Sequence, residues 1–325
     1  MNIKEIKTLL DNLNCSYHFS YRTNKSFNLI ANNVDTKFKS NTFPIYSVTK
    51  TIISSLIFHS IENKKLKLED KLSTFISCTN YEWLKNTTIA ELLLHRSGLG
   101  DYGYTKEYKN AVTTCPSRPL SESKLISIVT KQGQQSKTEN NFLYSNIGYL
   151  FLKKILEKIY SKTFEELIEV FFIKKLQLKN TKSIITQEEF KSLTFPTQKS
   201  FYLNVEDARE IYHPQWVSHG LIKSTPEEIT KVFNYIFFEN FLSSKTLKTY
   251  TTLYKIPFNG KYFSPHYGYG TLGDPNSNFG SYFGHDGNGP GYSAGVFINE
   301  SKIFCLVLGI EGISSKDLIA QLITC

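Results

Sequence analysis

Pro44-Ile45-Tyr46-Ser47-Val48-Thr49-Lys50-Thr51-Ile52-Ile53 is where this chain turns from an extended entry into a helix. The helical pattern begins at Ser47 and runs to about residue 63, with Ile52, Ile53, Leu56 and Ile57 at helical spacing, which predicts a buried helix. A serine at a helix start exposes its hydroxyl, and the first backbone N–H groups are not used by the helix. The helix dipole there favours negative charge, which suits an attacking alkoxide and an acyl oxyanion. Lys50 lies three residues on, so its side chain returns to the face of Ser47. Taken alone, the pair reads equally well as a capping serine beside an exposed lysine.

Two further motifs follow in order: Tyr144-Ser145-Asn146 and His285-Asp286-Gly287. The first precedes a helical run from Ile147, and residues i and i+2 of a loop project to one side, so Tyr144 and Asn146 can share a cleft. A phenol placed between two amines can have its pKa lowered and shuttle protons. The plainer reading is a core tyrosine with a capping asparagine. In the second motif His285 and Gly287 share one face of a strand and Asp286 points to the other, while the glycine permits close approach of backbone to a ligand. Its plainer reading is a glycine-rich turn, continued by Asn288-Gly289-Pro290-Gly291. A hydroxyl nucleophile, a basic partner, a phenol and an imidazole together suit acyl transfer through a serine ester. Decoys of each motif exist at Ser121-Glu122-Ser123-Lys124, Tyr202-Leu203-Asn204 and His266-Tyr267-Gly268, so the surrounding sequence must separate them.

Outward from these motifs, residues 17–21 and 27–31 read as a strand hairpin turning at Thr23-Asn24-Lys25. From Glu69 to about Leu203 the chain reads as helical and loop-rich, with helices over 89–94, 121–131, 147–160 and 164–175. Thr225-Pro226-Glu227-Glu228 has the cap, proline and acids of a first helical turn, opening a helix to about residue 238. Strands are expected at 267–272, 282–285, 291–298 and 303–310, and a last helix at 316–323. Strands at both ends around a helical middle imply one sheet built from both termini. The α/β sheet subdomain is then 1–68 plus 204–325, the inserted helical subdomain 69–203, and the cleft between them the site.

The 325 residues carry a formal charge of +9, yet only four of the 38 basic residues are arginine (22, 96, 118 and 209), and the lysines are scattered. Diffuse lysine describes a solvated surface rather than a nucleic-acid face. Five cysteines (15, 78, 115, 305 and 325) show no Cys-x-x-Cys or Cys/His ligand spacing and are expected as free thiols of a reducing compartment. Residues 1–5 lack the apolar core of a signal peptide, and no apolar run approaches the roughly 18 residues needed to span a bilayer. A soluble cytoplasmic protein is the expectation, unless an export signal has been removed.

Through these motifs the chain resembles the serine β-lactamase and DD-peptidase superfamily. The resemblance is to the class C-like branch of class C β-lactamases, DD-carboxypeptidases, D-aminopeptidases and related esterases. Ser47-Val48-Thr49-Lys50 matches its Ser-x-x-Lys, Tyr144-Ser145-Asn146 its Tyr-x-Asn, and His285-Asp286-Gly287 the His-x-Gly of many of its esterases and peptidases. Leu92-Leu93-Leu94-His95-Arg96-Ser97-Gly98-Leu99, His219-Gly220-Leu221-Ile222-Lys223-Ser224-Thr225, Tyr267-Gly268-Tyr269-Gly270 and the run from Gly284 to Gly291 resemble further blocks, in family order. The resemblance implies an α+β, β-lactamase/transpeptidase-like fold, with an antiparallel sheet flanked by helices and a mostly helical inserted subdomain.

It also implies roles. Ser47 would be the nucleophile and Lys50 its base or proton relay. Tyr144 would share that base role and protonate the leaving group. Asn146 would hydrogen-bond the substrate's amide or acyl side chain, and His285 would complete the polar cluster. The backbone N–H groups of Ser47 and Asn288 would form the oxyanion hole, beside Gly287. No metal or cofactor is implied, and the partner is a small-molecule or peptide substrate, with neither nucleic acid nor membrane. Two positions depart from the β-lactamase pattern. His285 replaces a lysine and is mostly neutral at neutral pH. Asp286 stands where threonine is usual; an acid there repels a substrate carboxylate and welcomes an amine. The expected activity is hydrolysis of a small ester, amide or D-amino-acid peptide, with efficient β-lactam hydrolysis disfavoured. The alternative is a catalytically silent scaffold keeping the fold. The loops 100–119 and 258–265, with Tyr102, Tyr104, Tyr108, Tyr262 and Phe263, either line an apolar pocket or pack the loops themselves.

Overall fold

The computed structural model describes residues 3–23, 25–32, 41–135, 142–194, 196, 198–257 and 264–324. Eleven strands lie along them: β1 (Tyr17–Arg22), β2 (Phe27–Asn32), β3 (Phe43–Pro44), β4 (Lys182–Ile184), β5 (Leu221–Ser224), β6 (Leu253–Lys255), β7 (His266–Gly268), β8 (Leu272–Ser277), β9 (Gly280–Gly289), β10 (Tyr292–Asn299) and β11 (Lys302–Leu308). Eight form one antiparallel sheet in the order β2-β1-β11-β10-β9-β8-β7-β6, so the two ends of the chain meet where β1 pairs β11. A second sheet, β3-β5-β4, has three short strands.

Alternation along the strands places an apolar face on each side of the large sheet. Tyr17, Phe19, Phe304, Leu306 and Leu308 pack against the terminal helices Ile3–Asp11 and Ser315–Thr324 through Ile6, Leu10, Ile319 and Leu322. Ile303, Cys305 and Val307 turn the other way, into the larger core shared with the helical body. That body is centred on helix Thr49–Glu62, buried at nearly every position from Thr49 to Phe58, which is why its sequence is apolar on all sides. Two of its serine hydroxyls bond back within the helix: Ser55 Oγ donates to the Ile52 carbonyl at 2.7 Å and Ser60 Oγ to that of Leu56 at 2.7 Å. Each fully buried Ile or Leu contributes about 1.5–3 kcal/mol of transfer free energy, so this helix is a rigid mount for what its first turn carries.

Several elements depart from the sequence expectation. The strand expected at 267–272 is broken by a turn, with Gly270 at φ +88° and no room for a Cβ against Ser54 Oγ, which would lie 2.3 Å away. The helix expected at 164–175 runs as Phe164–Ile168, a π turn at Glu169–Ile173 and Lys174–Leu176. The glycine-rich segment after His285 is strand, since β9 continues to Gly289. Helices Lys106–Thr114 and Ser244–Tyr250 were not legible; each has little apolar periodicity and is started by a capping Thr105 or Ser243. The described cysteines 15, 78, 115 and 305 are free, and Cys325, like Tyr262 and Phe263, lies outside the described residues. Among the described residues no helix is long and apolar enough to cross a membrane.

Candidate active site

Ser47 sits in a 3-10 turn, Tyr46–Val48, immediately before the long helix, rather than on the helix itself. The turn is held from three directions. Phe43 and Pro44 pair with Ser224 and Lys223 of β5, and Ile45 N–H donates to the Ile222 carbonyl at 2.9 Å. Tyr46 adopts φ +41°, an uncommon conformation for a bulky residue, with its hydroxyl donating to the Pro290 carbonyl at 3.0 Å. Across from it runs β9, so close that a Cβ on Gly287 would stand 2.5 Å from the Ile45 carbonyl oxygen and 2.7 Å from Ser47 N. Glycine is therefore demanded at 287 by contact with the Ser47 turn itself, where the motif alone suggests close approach to a ligand.

Four side chains converge on the turn. Lys50 Nζ lies 2.9 Å from Ser47 Oγ, 2.6 Å from Asn146 Oδ1 and 3.2 Å from His219 Nε2. The Tyr144 hydroxyl donates to Ser47 Oγ at 2.9 Å. Ser145, between the two cleft residues, caps helix Asn146–Tyr160 by accepting from Gly148 N–H at 3.2 Å, which turns Tyr144 and Asn146 to the same side. Asn146 is itself fixed by its backbone N–H donating to Asp101 Oδ2 at 3.0 Å. Because lysine can only donate while charged, the atom of Asn146 facing it is the amide oxygen.

Burial decides the electrostatics. Lys50 has no exposed surface, and loss of hydration lowers its pKa to about 7, although Asp101 and Asp286 pull the other way. Tyr144 departs from the expectation of a lowered pKa. Burial holds its phenol well above the ordinary value, against a smaller lowering by its bond to Ser47. The lysine reaches its ring face, 4.9 Å from the centroid, and residue 285 brings an imidazole rather than a second amine. His285 is pushed down to about 3, by burial first and by the Lys50 charge second, and is a neutral ring.

Both nitrogens of that ring are engaged. Ser145 N–H donates to His95 Nδ1 at 3.0 Å, so His95 carries its proton on Nε2, 3.1 Å from the Tyr267 hydroxyl. Tyr267 then gives its own proton to His285 Nε2 at 3.0 Å, and His285 Nδ1–H donates to the Asp286 carbonyl at 2.5 Å. Each tautomer follows from its neighbour. The chain ties β9 to β7 and to the loop before Tyr144, and gives His285 the part of a strut behind the site. Asn288 faces the cleft edge with its amide oxygen held by Ser293 Oγ at 2.6 Å and Gly312 N–H at 3.2 Å.

Ser47 opens to two hollows. The larger, about 750 Å³, includes Tyr144, His285, Asp286, Gly287 and Lys316 in its wall. The smaller, about 170 Å³, is lined mainly by aromatics, among them Tyr46, Tyr102, Tyr108 and Trp216. Tyr102 and Tyr108 therefore both pack and line, whereas Tyr104 is exposed at the wall of the larger hollow. Asp286 lies 3.7 Å from Lys316 Nζ, which is also 3.8 Å from Asp317. Two decoy motifs are engaged elsewhere, since Ser121 caps a helix, Lys124 pairs with Glu107 and His266 binds the Ser264 carbonyl, whereas Tyr202 of the third lines both hollows. His219, His95 and Tyr267 stood inside family-like blocks without an assigned role; Asp101 and Lys316 carried no sequence signal. Among the described residues no group of acidic, histidine or cysteine side chains is placed to hold a metal ion.

An antiparallel sheet covered by helices on both faces, with Ser-x-x-Lys, Tyr-x-Asn and His-x-Gly gathered beside strand β9, defines the class as β-lactamase-like hydrolases. The chain belongs to the beta-lactamase family, whose family model matches residues 38–309. It is 23% identical over 275 residues to a teichoic acid D-alanine hydrolase of Staphylococcus aureus, covering 83% of this chain and 62% of that protein. It is 31% identical over 139 residues to a putative fimbrial assembly protein of Dichelobacter nodosus, covering 40% of this chain and 32% of the other. The chain thus spans less than two thirds of the length of these relatives. The crystal structure of D-amino acid amidase from Ochrobactrum anthropi, complexed with L-phenylalanine, superimposes with a TM-score of 0.81 at 18% identity, covering 99% of this chain and 97% of that one.

Proposed function

We propose that this protein is a serine hydrolase that forms an acyl-enzyme on Ser47 and hydrolyses small esters, amides or D-amino-acid peptides. The observation that carries the reading is the buried Lys50 amine, 2.9 Å from Ser47 Oγ with its pKa lowered to about 7, because a base poised near neutrality is what the attack requires. Ser47 Oγ bonds to the substrate carbonyl carbon as its proton passes to Lys50 Nζ. The oxyanion takes hydrogen bonds from the backbone N–H groups of Ser47 and Asn288. Collapse breaks the bond to the leaving oxygen or nitrogen, which receives the proton from Lys50 past the Tyr144 hydroxyl. Water then attacks the ester, Lys50 again accepts a proton, and release of the acid restores the Ser47 hydroxyl.

The substrate reading rests on the wall of the large hollow, where Asp101, Asp286 and Asp317 face Lys109 and Lys316. Carboxylates outnumber lysines there, which favours a substrate carrying an ammonium over one carrying a carboxylate. The names of the D-alanine hydrolase and the D-amino acid amidase agree with a D-aminoacyl group. The test is intact-protein mass after exposure to a fluorophosphonate and, separately, to penicillin, for wild type and Ser47→Ala, followed by turnover of p-nitrophenyl acetate and D-Ala-p-nitroanilide. A single fluorophosphonate adduct that Ser47→Ala abolishes is expected, together with slow or absent penicillin labelling. Folded protein that takes no adduct and turns over neither substrate is the silent scaffold.

A further inference from the structure

We propose that His219 is a positioning residue that aims the lone pair of the neutral Lys50 amine at Ser47. The inference rests on the acyl-enzyme reading and goes beyond it, since the attack needs Lys50 in one rotational state of its amino group. Charged, Lys50 has three N–H donors and three partners: Ser47 Oγ, Asn146 Oδ1 and His219 Nε2. Neutral, it has two N–H donors and one lone pair. If Asn146 and His219 take the two donors, the remaining tetrahedral direction points at the Ser47 hydroxyl, which then donates its proton along the line of attack. Without an acceptor at 219, one N–H turns to Ser47 Oγ, and the lone pair faces a buried wall.

The surroundings keep His219 an acceptor. It is 2% exposed, and burial, with the Lys50 charge next, holds it well below its ordinary pKa. The Tyr46 backbone lies on its far side and favours a ring proton there, at a geometry short of a full hydrogen bond, so the Nε2 face is left for Lys50. Its placement is tertiary. β5 begins two residues later and pairs with β3, which leads into the Ser47 turn, so one strand pairing sets two of the three partners of Lys50. The charged and titratable groups facing this cluster are Asp101 and Asp286 on Lys50, and Lys153 and His285 on His219. The rings of Tyr144 and Tyr149 stand 4.9 and 5.6 Å from Nζ.

The experiment follows the rate of Ser47 phosphonylation by a fluorophosphonate against pH, by intact mass, in wild type, His219→Met and His219→Gln. The final adduct fraction counts folded sites, and the rate per site reports the chemistry. Met fills the space without a strong acceptor, and a plateau rate lowered about tenfold is expected, with the adduct fraction unchanged. Gln restores an acceptor oxygen and most of the rate. Lost charge-state support also moves the acidic limb of the Met variant to lower pH, a change that mere packing does not produce. Equal plateau rates and limbs in wild type and His219→Met overturn the proposal. Loss in both variants without recovery by Gln also overturns it. If His219→Met yields no labelled fraction, His219→Leu takes its place in the same comparison. A wild type that never labels refutes the acyl-enzyme reading instead, so the two failures are distinct.

Discussion

Which group takes the Ser47 proton is decided by the shape of one pH profile. Lys50 is lowered to about 7 and Tyr144 is raised well above 10, so the two candidates titrate far apart. The base must be unprotonated, so the rate rises with pH through its pKa. With Lys50 as base, about one site in eleven is competent at about pH 6 and about ten in eleven at about pH 8, a rise of about tenfold followed by a plateau. With a Tyr144 phenolate acting beside an already neutral Lys50, the rate keeps rising about tenfold per pH unit through about pH 10. The assay is the second-order rate of Ser47 phosphonylation between about pH 5 and 10, normalised to final adduct. A half-rise near pH 7 and a plateau above it are expected. Continued increase into the alkaline range refutes Lys50 as the base, and with it the claim that burial of this ammonium is the activating device.

The remaining predictions use the same groups. Asp286→Asn removes a charge that raises the Lys50 pKa, so the acidic limb moves to lower pH; the same variant lowers kcat/KM for D-Ala-p-nitroanilide more than for p-nitrophenyl acetate. Gly287→Ala places a methyl 2.5 Å from the Ile45 carbonyl and displaces the Ser47 turn; about a hundredfold slower acylation is expected, with circular dichroism unchanged. Lys50→Met reports the cost of the buried amine by linkage. The folded pKa lies below the unfolded value of 10.5, so wild type is penalised below about pH 7 and recovers as pH rises to 10.5. The difference in unfolding free energy between wild type and Lys50→Met therefore shifts in favour of wild type by about 1.4 kcal/mol per pH unit from about pH 7 to 10, measured by urea titration; a flat difference contradicts the buried-amine account.

Local chemistry was legible in the sequence. The i, i+3 spacing of Ser47 and Lys50, the apolar and aromatic runs that become β1, β10 and β11, and the cap at Thr225 depend on neighbours a few residues away, and the structure holds them much as expected. The family blocks added order and topology, and the match over residues 38–309 bears out the family they pointed to. Short strands such as β3, β4 and β6 carry too few residues for a period to show, and exist because a partner strand completes their hydrogen bonds. The capped helix Lys106–Thr114 was unreadable for a similar reason, its apolar face being only Tyr108 and Val112.

What the tertiary structure alone decided is the state of the reacting groups. The sequence names Lys50, Tyr144 and His285, but a pKa is set by the water a group has lost and the charges it faces, and both come from chain segments far apart. Asp101 reaches Lys50 through Asn146, His219 arrives by the β3–β5 pairing, and Lys316 comes from the terminal helix to stand beside Asp286. Burial lowers the Lys50 ammonium to about 7, keeps the Tyr144 phenol protonated and leaves His285 a neutral strut between Tyr267 and its own strand. The sequence by itself determined that Ser47, Lys50, Tyr144 and Asn146 belong to one cluster; the packing of helix against sheet added His219 and Asp101 and decided the state of all of them, because desolvation is a property of the whole fold.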